Sequence, residues 1–408
     1  MKKVKTLSRF IKRLFFEKEI EMKKKHLLII VIMSLIFNIY PFEVYGNINK
    51  EPNVEAKSAI LMDASTGRVL WEKNAHEPLA MASTTKIMTC ILALEKGNLM
   101  DEVIVSKRAA SAPRVKLYLK EGEKQCLGDL LYALMLQSSN DVAVAIAEHI
   151  SGSVETFCEE MTKKAKELGA KNTVFKTPNG LDAQGHQSTA YDLAVITRYA
   201  MKNPKFVKII NTKHITIPQK GNYKSYDLKN TNRFLYEFPG ANGVKTGYTG
   251  KAGYCFVGAV KQEDMQLISV VLASGWGPRG KEQKWVDTKR IMKYGFDNYK
   301  LETLLEKNKL LKTIPVEKAK ETEVSLYTDK SIIYAIKEEE KSKIRIELKV
   351  PNLVEAPIEK GEKLGEAKVF VGDELSGSVN LLADRSIERH DFPSCFKKVL
   401  NNWLKVIN

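Results

Sequence analysis

Ser83 and Lys86 stand three residues apart in Ser83-Thr84-Thr85-Lys86, a separation that puts both side chains on one face of a helix. A serine hydroxyl is a weak nucleophile until a base takes its proton, and an amine at this spacing can be that base. Lysine does so only when burial or a neighbouring cation lowers its pKa, so the chemistry demands a second positive charge. Lys245 is the candidate, in Lys245-Thr246-Gly247, a triplet that occurs once in the chain. Between the two lies Ser138-Ser139-Asn140, which offers another hydroxyl and an amide. Neither shorter pattern is diagnostic alone, since Ser-x-x-Lys recurs at Ser394 to Lys397 and Ser-x-Asn at Ser378 to Asn380. What singles them out is order and setting, with Ser138 55 residues after Ser83 and Lys245 a further 107 on, each at the boundary of an element.

The elements that must position these residues follow from periodicity. Ser58 to Met62 and Arg68 to Lys73 read as a hairpin around the turn residues Asp63 to Gly67. From Ala82 to about Arg198 the apolar spacing is helical, with buried helices expected over Thr85 to Leu94, Leu127 to Leu136 and Val142 to Ile150. Ser83 opens the first of these, where free backbone N–H groups can face an oxyanion. Strand signals return at Gly253 to Val260 and Gln266 to Ser274, just after Lys-Thr-Gly, and Trp285 to Phe296 reads as a helix. Beyond residue 300 short strands punctuated by Lys and Glu (310–316, 323–327, 331–335, 344–350 and 366–371) predict a separate small β-rich domain.

The whole chain has 408 residues, 44% hydrophobic and 28% charged, the balance of a globular protein of two or three domains. Its net charge of +16 suggests an anionic partner. Residues 1–46 supply +6 of it and carry three lysines ahead of an apolar run from Leu27 to Tyr40, the layout of a secretory signal peptide with an N-terminal extension before Met22. That run is shorter than the roughly 20 residues a spanning helix needs, so cleavage after Gly46 and export are expected. Five cysteines (Cys90, Cys126, Cys158, Cys255, Cys395) lack the spacing of a zinc site or redox pair and read mainly as buried structural thiols. Cys90 belongs to the face of Ser83 and is expected to pack; His186, without a metal-ligand cluster around it, reads as a loop residue. From Phe392 to Ile407 an apolar stripe alternates with Lys397, Lys398 and Lys405, an amphipathic helix expected to lie on a membrane surface in preference to docking on its own β domain.

The set Ser83-x-x-Lys86, Ser138-x-Asn140 and Lys245-Thr246-Gly247 is the one that penicillin-binding proteins and class A β-lactamases share. With Tyr118 to Glu123, Thr177 to Asp182, Ser188 to Ala194 and Asn242 to Val244, the chain resembles the serine-type D-alanyl-D-alanine carboxypeptidases, and Pro357 to Gly365 with the following strands is similar to that family's C-terminal β domain. The resemblance implies an α+β fold: a β-lactamase/transpeptidase-like catalytic domain with an antiparallel sheet flanked by helices (47–298), a small all-β domain (299–385) and a terminal amphipathic helix (386–408). It implies Ser83 as acylated nucleophile, Lys86 as its base and Ser138 as proton relay to the leaving D-alanine. Asn140 would hold the substrate amide, Lys245 and Thr246 the terminal carboxylate, and the N–H groups of Ser83 and Tyr248 the oxyanion. Where relatives carry an arginine near the carboxylate, the nearest match here is Lys284, which keeps the charge and loses the bidentate fork. Peptidoglycan stem peptides and β-lactams are the implied ligands, and neither metal nor organic cofactor is implied.

Three other functions compete. A β-lactamase would need a glutamate-held water, and the loop from Thr173 to Tyr191 has Asp182 but no Glu. A dead wall-binding homologue is disfavoured by the intact motifs. Nucleic-acid binding conflicts with the export signal and lacks a basic-aromatic motif.

Overall fold

The computed structural model describes residues 50–219 and 225–390, together with Met22, Pro393, Phe396, residues 399–401, Trp403 and Leu404. The expected signal peptide therefore lies outside the described residues.

Five antiparallel strands form the central sheet: β1 (Ser58–Asp63), β2 (Val69–Lys73), β3 (Ala241–Thr249), β4 (Gly253–Gln262) and β5 (Met265–Leu272), in the order β2-β1-β5-β4-β3. The predicted first hairpin is β1 and β2, closed by Asp63, whose Oδ1 accepts from the Thr66 N–H at 2.7 Å and from the hydroxyls of Ser65 and Thr66. The sheet is apolar on both faces because both are covered. One face packs Ile60, Met62, Val257 and Ile268 against the helices of the middle segment. The other packs Leu61, Phe256 and Val271 against Trp285, Ile291 and Met292.

In the helical middle, α1 (Lys86–Lys96) follows a single 3₁₀ turn, Ala82–Thr85, and buries its first eight residues. α2 (Asn140–Ser151) packs on it, and α3 (Ala190–Ala200) crosses beneath β5 and β1. Thr189 caps α3 by accepting from the Asp192 N–H at 3.0 Å, and Asp192 in turn accepts from Asn172 N and the Thr173 hydroxyl, both at 2.7 Å. The loop 172–189 is thereby tied down at its base.

Three features depart from the expectations. Lys-Thr-Gly lies inside a strand, β3, instead of ahead of one. The last helix of this region, α4 (Gly277–Asn298), begins eight residues earlier than its apolar spacing suggested: Pro278 suits a first turn that needs no N–H, and Gly280 packs directly on Gly275. A hairpin of His214–Pro218 and Ser225–Lys229 was hidden by its polar, mostly exposed strands.

After α4 the chain builds an all-β unit. Six strands run in the order Ile344–Lys349, Lys363–Val371, Glu374–Ala383, Glu323–Thr328, Leu310–Glu317, Val354–Glu355, beside the pair Lys300–Leu305 and Ile332–Ile336. Its core holds Ile314, Leu326, Val369 and Leu381. Arg68, from the turn into β2, fastens it to the central sheet, pairing with Glu340 at 2.6 Å and Glu374 at 3.1 Å beneath the ring of Tyr334. Most of the terminal amphipathic segment lies outside the described residues. Those described are helical, and Phe396, Val399, Leu400, Trp403 and Leu404 are exposed. No helix among the described residues is long and apolar enough to cross a membrane.

Candidate active site

The turn Ala82–Thr85 presents Ser83 at the mouth of the helical core, while Lys86, three residues on, is fully buried. Lys86 Nζ donates to Ser83 Oγ at 3.1 Å, to Asn140 Oδ1 at 2.8 Å and to the Asn179 carbonyl at 2.6 Å. Ser83 Oγ also donates to that carbonyl at 3.3 Å. A hydroxyl and an amine are therefore within proton-transfer reach inside a polar cage of neutral groups. Burial holds the Lys86 ammonium well below the ordinary lysine value, and the charge of Lys245 lowers it further against the opposing pull of Asp141. Burial alone brings Lys245 down to about 7. The second cation demanded by the sequence is present, although desolvation is the larger cause.

Each neighbour is positioned by a local feature. Lys245 and Gly247 alternate with Thr246 and Tyr248 along β3, so Lys245 and Gly247 share the buried face that meets the helices. A Cβ on Gly247 would lie 3.0 Å from Ser83 N, which measures how closely the edge strand approaches the serine. Ser138 terminates a π-helical turn, Ala133–Gln137, in a left-handed conformation (φ 66°, ψ 31°), the sort of irregularity that aims a side chain at a cost. Ala82 is also left-handed, at φ 48°, immediately before the serine.

Asn140 stands beside Lys86, which donates to its Oδ1, and its Nδ2 donates to the carbonyls of Pro113 and Arg114 at 3.1 and 3.0 Å, so its amide braces the lysine and the 113–115 loop. Lys284 faces its own helix and two aromatic rings. Its Nζ donates to the Lys281 carbonyl of its own helix and sits 4.6 and 4.4 Å from the ring centres of Tyr254 and Trp285, with burial lowering it to about 8.

Asn179, Asp141, Thr85 and His186 had no part in the site as read from sequence, where His186 stood only as a loop residue. The Asn179 carbonyl belongs to the turn Thr177 to Asp182, where Gly180 at φ 83° could carry no Cβ, since one would lie 2.0 Å from the Ala82 carbonyl. Asp141, next to Asn140, accepts from the N–H groups of Leu117 and Leu119 at 2.9 and 3.1 Å and holds the rim loop bearing exposed Tyr118. His186 is buried behind the serine turn with Thr85. The Lys176 N–H donates to its Nδ1 at 3.0 Å, so Nε2 carries the proton toward Thr85 Oγ1, also at 3.0 Å, and that hydroxyl donates to the Ala82 carbonyl. Burial lowers His186 to about 4, which keeps it neutral. The adjacency of Asp141 to Ser-x-Asn was a usable signal; a carbonyl and a buried relay behind a turn have none.

Cys90, Cys126, Cys158 and Cys255 are free thiols, and burial raises Cys158 and Cys255 to about 12 and Cys90 further. Among the described residues no cluster of three His, Cys, Asp or Glu side chains could hold a metal ion. The partners of the Lys86 ammonium are a hydroxyl, an amide oxygen and a backbone carbonyl, with no carboxylate among them.

A family model described as D-alanyl-D-alanine carboxypeptidase matches residues 46–275, and one described as the C-terminal domain of penicillin-binding protein 5 matches residues 299–389. The chain is 36% identical over 385 residues to D-alanyl-D-alanine carboxypeptidase DacF of Bacillus subtilis, covering 93% of this chain and 98% of the relative. It is 33% identical to D-alanyl-D-alanine carboxypeptidase DacC of Escherichia coli, over 77% of this chain and 80% of that one. Crystal structures of penicillin binding protein 5 from Haemophilus influenzae superpose with a TM-score of 0.70 at 29% identity, over 83% of this chain and 99% of the other.

Proposed function

The chain belongs to the D-alanyl-D-alanine carboxypeptidase family, and from that premise we propose that Ser83 is the residue acylated during removal of the terminal D-alanine from peptidoglycan stem peptides. The observation that carries the assignment is a fully buried Lys86 Nζ at 3.1 Å from Ser83 Oγ, its ammonium disfavoured by that burial. Lys86 takes the hydroxyl proton as Oγ attacks the carbonyl of the penultimate D-alanine. The N–H groups of Ser83 and Tyr248 receive the oxyanion, and Ser138 passes a proton to the departing amine. Lys245 and Thr246, with Gly247 allowing close approach, receive the terminal carboxylate. Water then releases the acyl group. With no glutamate between Thr173 and Tyr191 to hold a deacylating water, a penicilloyl ester at Ser83 is expected to be long-lived, which separates this reading from a β-lactamase.

The test is covalent labelling by a fluorescent penicillin, followed on a denaturing gel beside release of D-alanine from a pentapeptide. Wild type holds label for minutes and releases D-alanine, whereas Ser83→Ala does neither. Activity retained in Ser83→Ala would overturn the assignment.

Residues 47–298 form the catalytic domain and 299–385 the β domain in this reading. The protein is exported and works at the outer face of the cytoplasmic membrane, held there by residues 386–408, whose described apolar side chains are exposed. Deleting 386–408 is expected to move the protein from the membrane pellet to the soluble fraction with penicillin labelling intact; retention in the pellet would point to the N-terminal segment instead.

A further inference from the structure

Past Lys-Thr-Gly the edge strand carries an aromatic surface with no part in the chemistry so far. Tyr248 is 47% exposed, and its ring centre lies 4.3 Å from that of Tyr254, directly opposite on β4. Trp276, 44% exposed, is fixed on the same turn: its Nε1 donates to the Gly250 carbonyl at 2.9 Å, and a Cβ on Gly253 would meet the indole carbons at 2.9–3.0 Å. Rings held in place by hydrogen bonding and close packing, yet left open, are characteristic of binding surfaces. Two cations flank them. Lys57 Nζ is 5.6 Å from the centre of the Trp276 ring, and Lys251 is exposed at the turn between β3 and β4.

The direction of the substrate follows from the assignments proposed above, on which this inference rests. With the terminal carboxylate at Lys245 and Thr246 and the scissile carbonyl at the Tyr248 N–H, the peptide upstream of the cleaved bond must leave over Thr249 to Gly253. Strand residues advance about 3.3 Å each, so Thr249, the last residue of β3, lies about 7 Å beyond Gly247 and the turn at Gly250 follows, the reach of roughly two to three extended substrate residues. We propose that Tyr248, Tyr254 and Trp276 form a subsite for the amino-terminal part of the stem peptide. The rings cover its aliphatic atoms, and Lys57 and Lys251 face its free carboxylate. A substrate that ends at the third stem residue stops short of Trp276.

The experiment uses the full chain and compares Trp276→Ala and Trp276→Phe with wild type on two synthetic substrates. One is diacetyl-L-lysyl-D-alanyl-D-alanine, and the other is L-alanyl-γ-D-glutamyl-L-lysyl-D-alanyl-D-alanine. In Trp276→Ala the KM for the pentapeptide should rise about fivefold with kcat unchanged, while the tripeptide keeps both constants; Trp276→Phe should restore most of the loss. Equal losses on both substrates would mean a merely structural tryptophan, and no loss on the pentapeptide an idle one; either overturns the subsite. A wild type inert on both substrates would strike the carboxypeptidase assignments themselves, a different result.

Discussion

Two lysines buried in one site are a standing cost to the fold. Lys245 is lowered to about 7 in the folded protein and returns to its ordinary value near 10.5 on unfolding, so the unfolded chain binds the extra proton between those values. The penalty is full below pH 7 and fades toward pH 10. Lys245→Met should accordingly raise the melting temperature at pH 6 and leave it nearly unchanged at pH 10, as thermal unfolding at the two pH values would register. The same variant should slow penicillin acylation on the order of a hundredfold. Its acidic limb should move to higher pH, because Lys86 loses the charge that helps keep it neutral. An acidic limb that stays in place would mean that burial alone tunes Lys86.

The serine turn is defined by what leans on it. β3 approaches from one side through Gly247 and the 177–182 turn from the other through Gly180, while Thr85 and His186 hold the Ala82 carbonyl from behind. A methyl group at position 180 would need the space of the Ala82 carbonyl, and φ 83° would be strained for alanine in any case. Gly180→Ala is expected to shift the turn and lower the acylation rate at least about tenfold, since small misplacements of a reacting group are costly. Far-ultraviolet circular dichroism should show the secondary structure retained. Unaltered acylation kinetics would show that the turn yields without moving Ser83.

Across the molecule, the catalytic and β portions share Ala335 and Leu301 in one apolar cluster and the Lys337 contacts with Tyr294 and Tyr299, and Arg68 adds a charged tie between them. Arg68 has a side chain only 7% exposed, with Glu340, Glu374 and the Ala335 carbonyl as partners and the rings of Tyr299 and Tyr334 beside it. Removing Arg68 strands Glu340, 19% exposed, and the Ala335 carbonyl, while solvent can take up Glu374, 47% exposed, so the cost is about 2 kcal/mol. Arg68→Ala should therefore unfold at lower urea concentration. Its penicillin labelling should persist, because none of the Arg68 contacts reaches the Ser83 cluster. Loss of labelling in a folded variant would instead tie the β portion to the site.

Residue types that bear the chemistry, and the elements nearest to them, are legible along the chain. Ser83 with Lys86, the first hairpin, the helical middle and five of the β-domain strands are patterns written within a few residues, where helix and strand periods operate, whereas Lys300–Leu305, Val354–Glu355 and Glu374–Ala383 were missed. Whatever depends on distant partners came only with the folded chain. It placed the Asn179 carbonyl on an amine 93 residues away, engaged both ends of the Asn140 side chain and turned Lys284 onto Tyr254 and Trp285. It also made β3 an edge strand and buried Lys86 completely. Spacing can bring an amine beside a hydroxyl, but desolvation is a property of the whole packed neighbourhood, and that neighbourhood is what turns this lysine from a cation into a base.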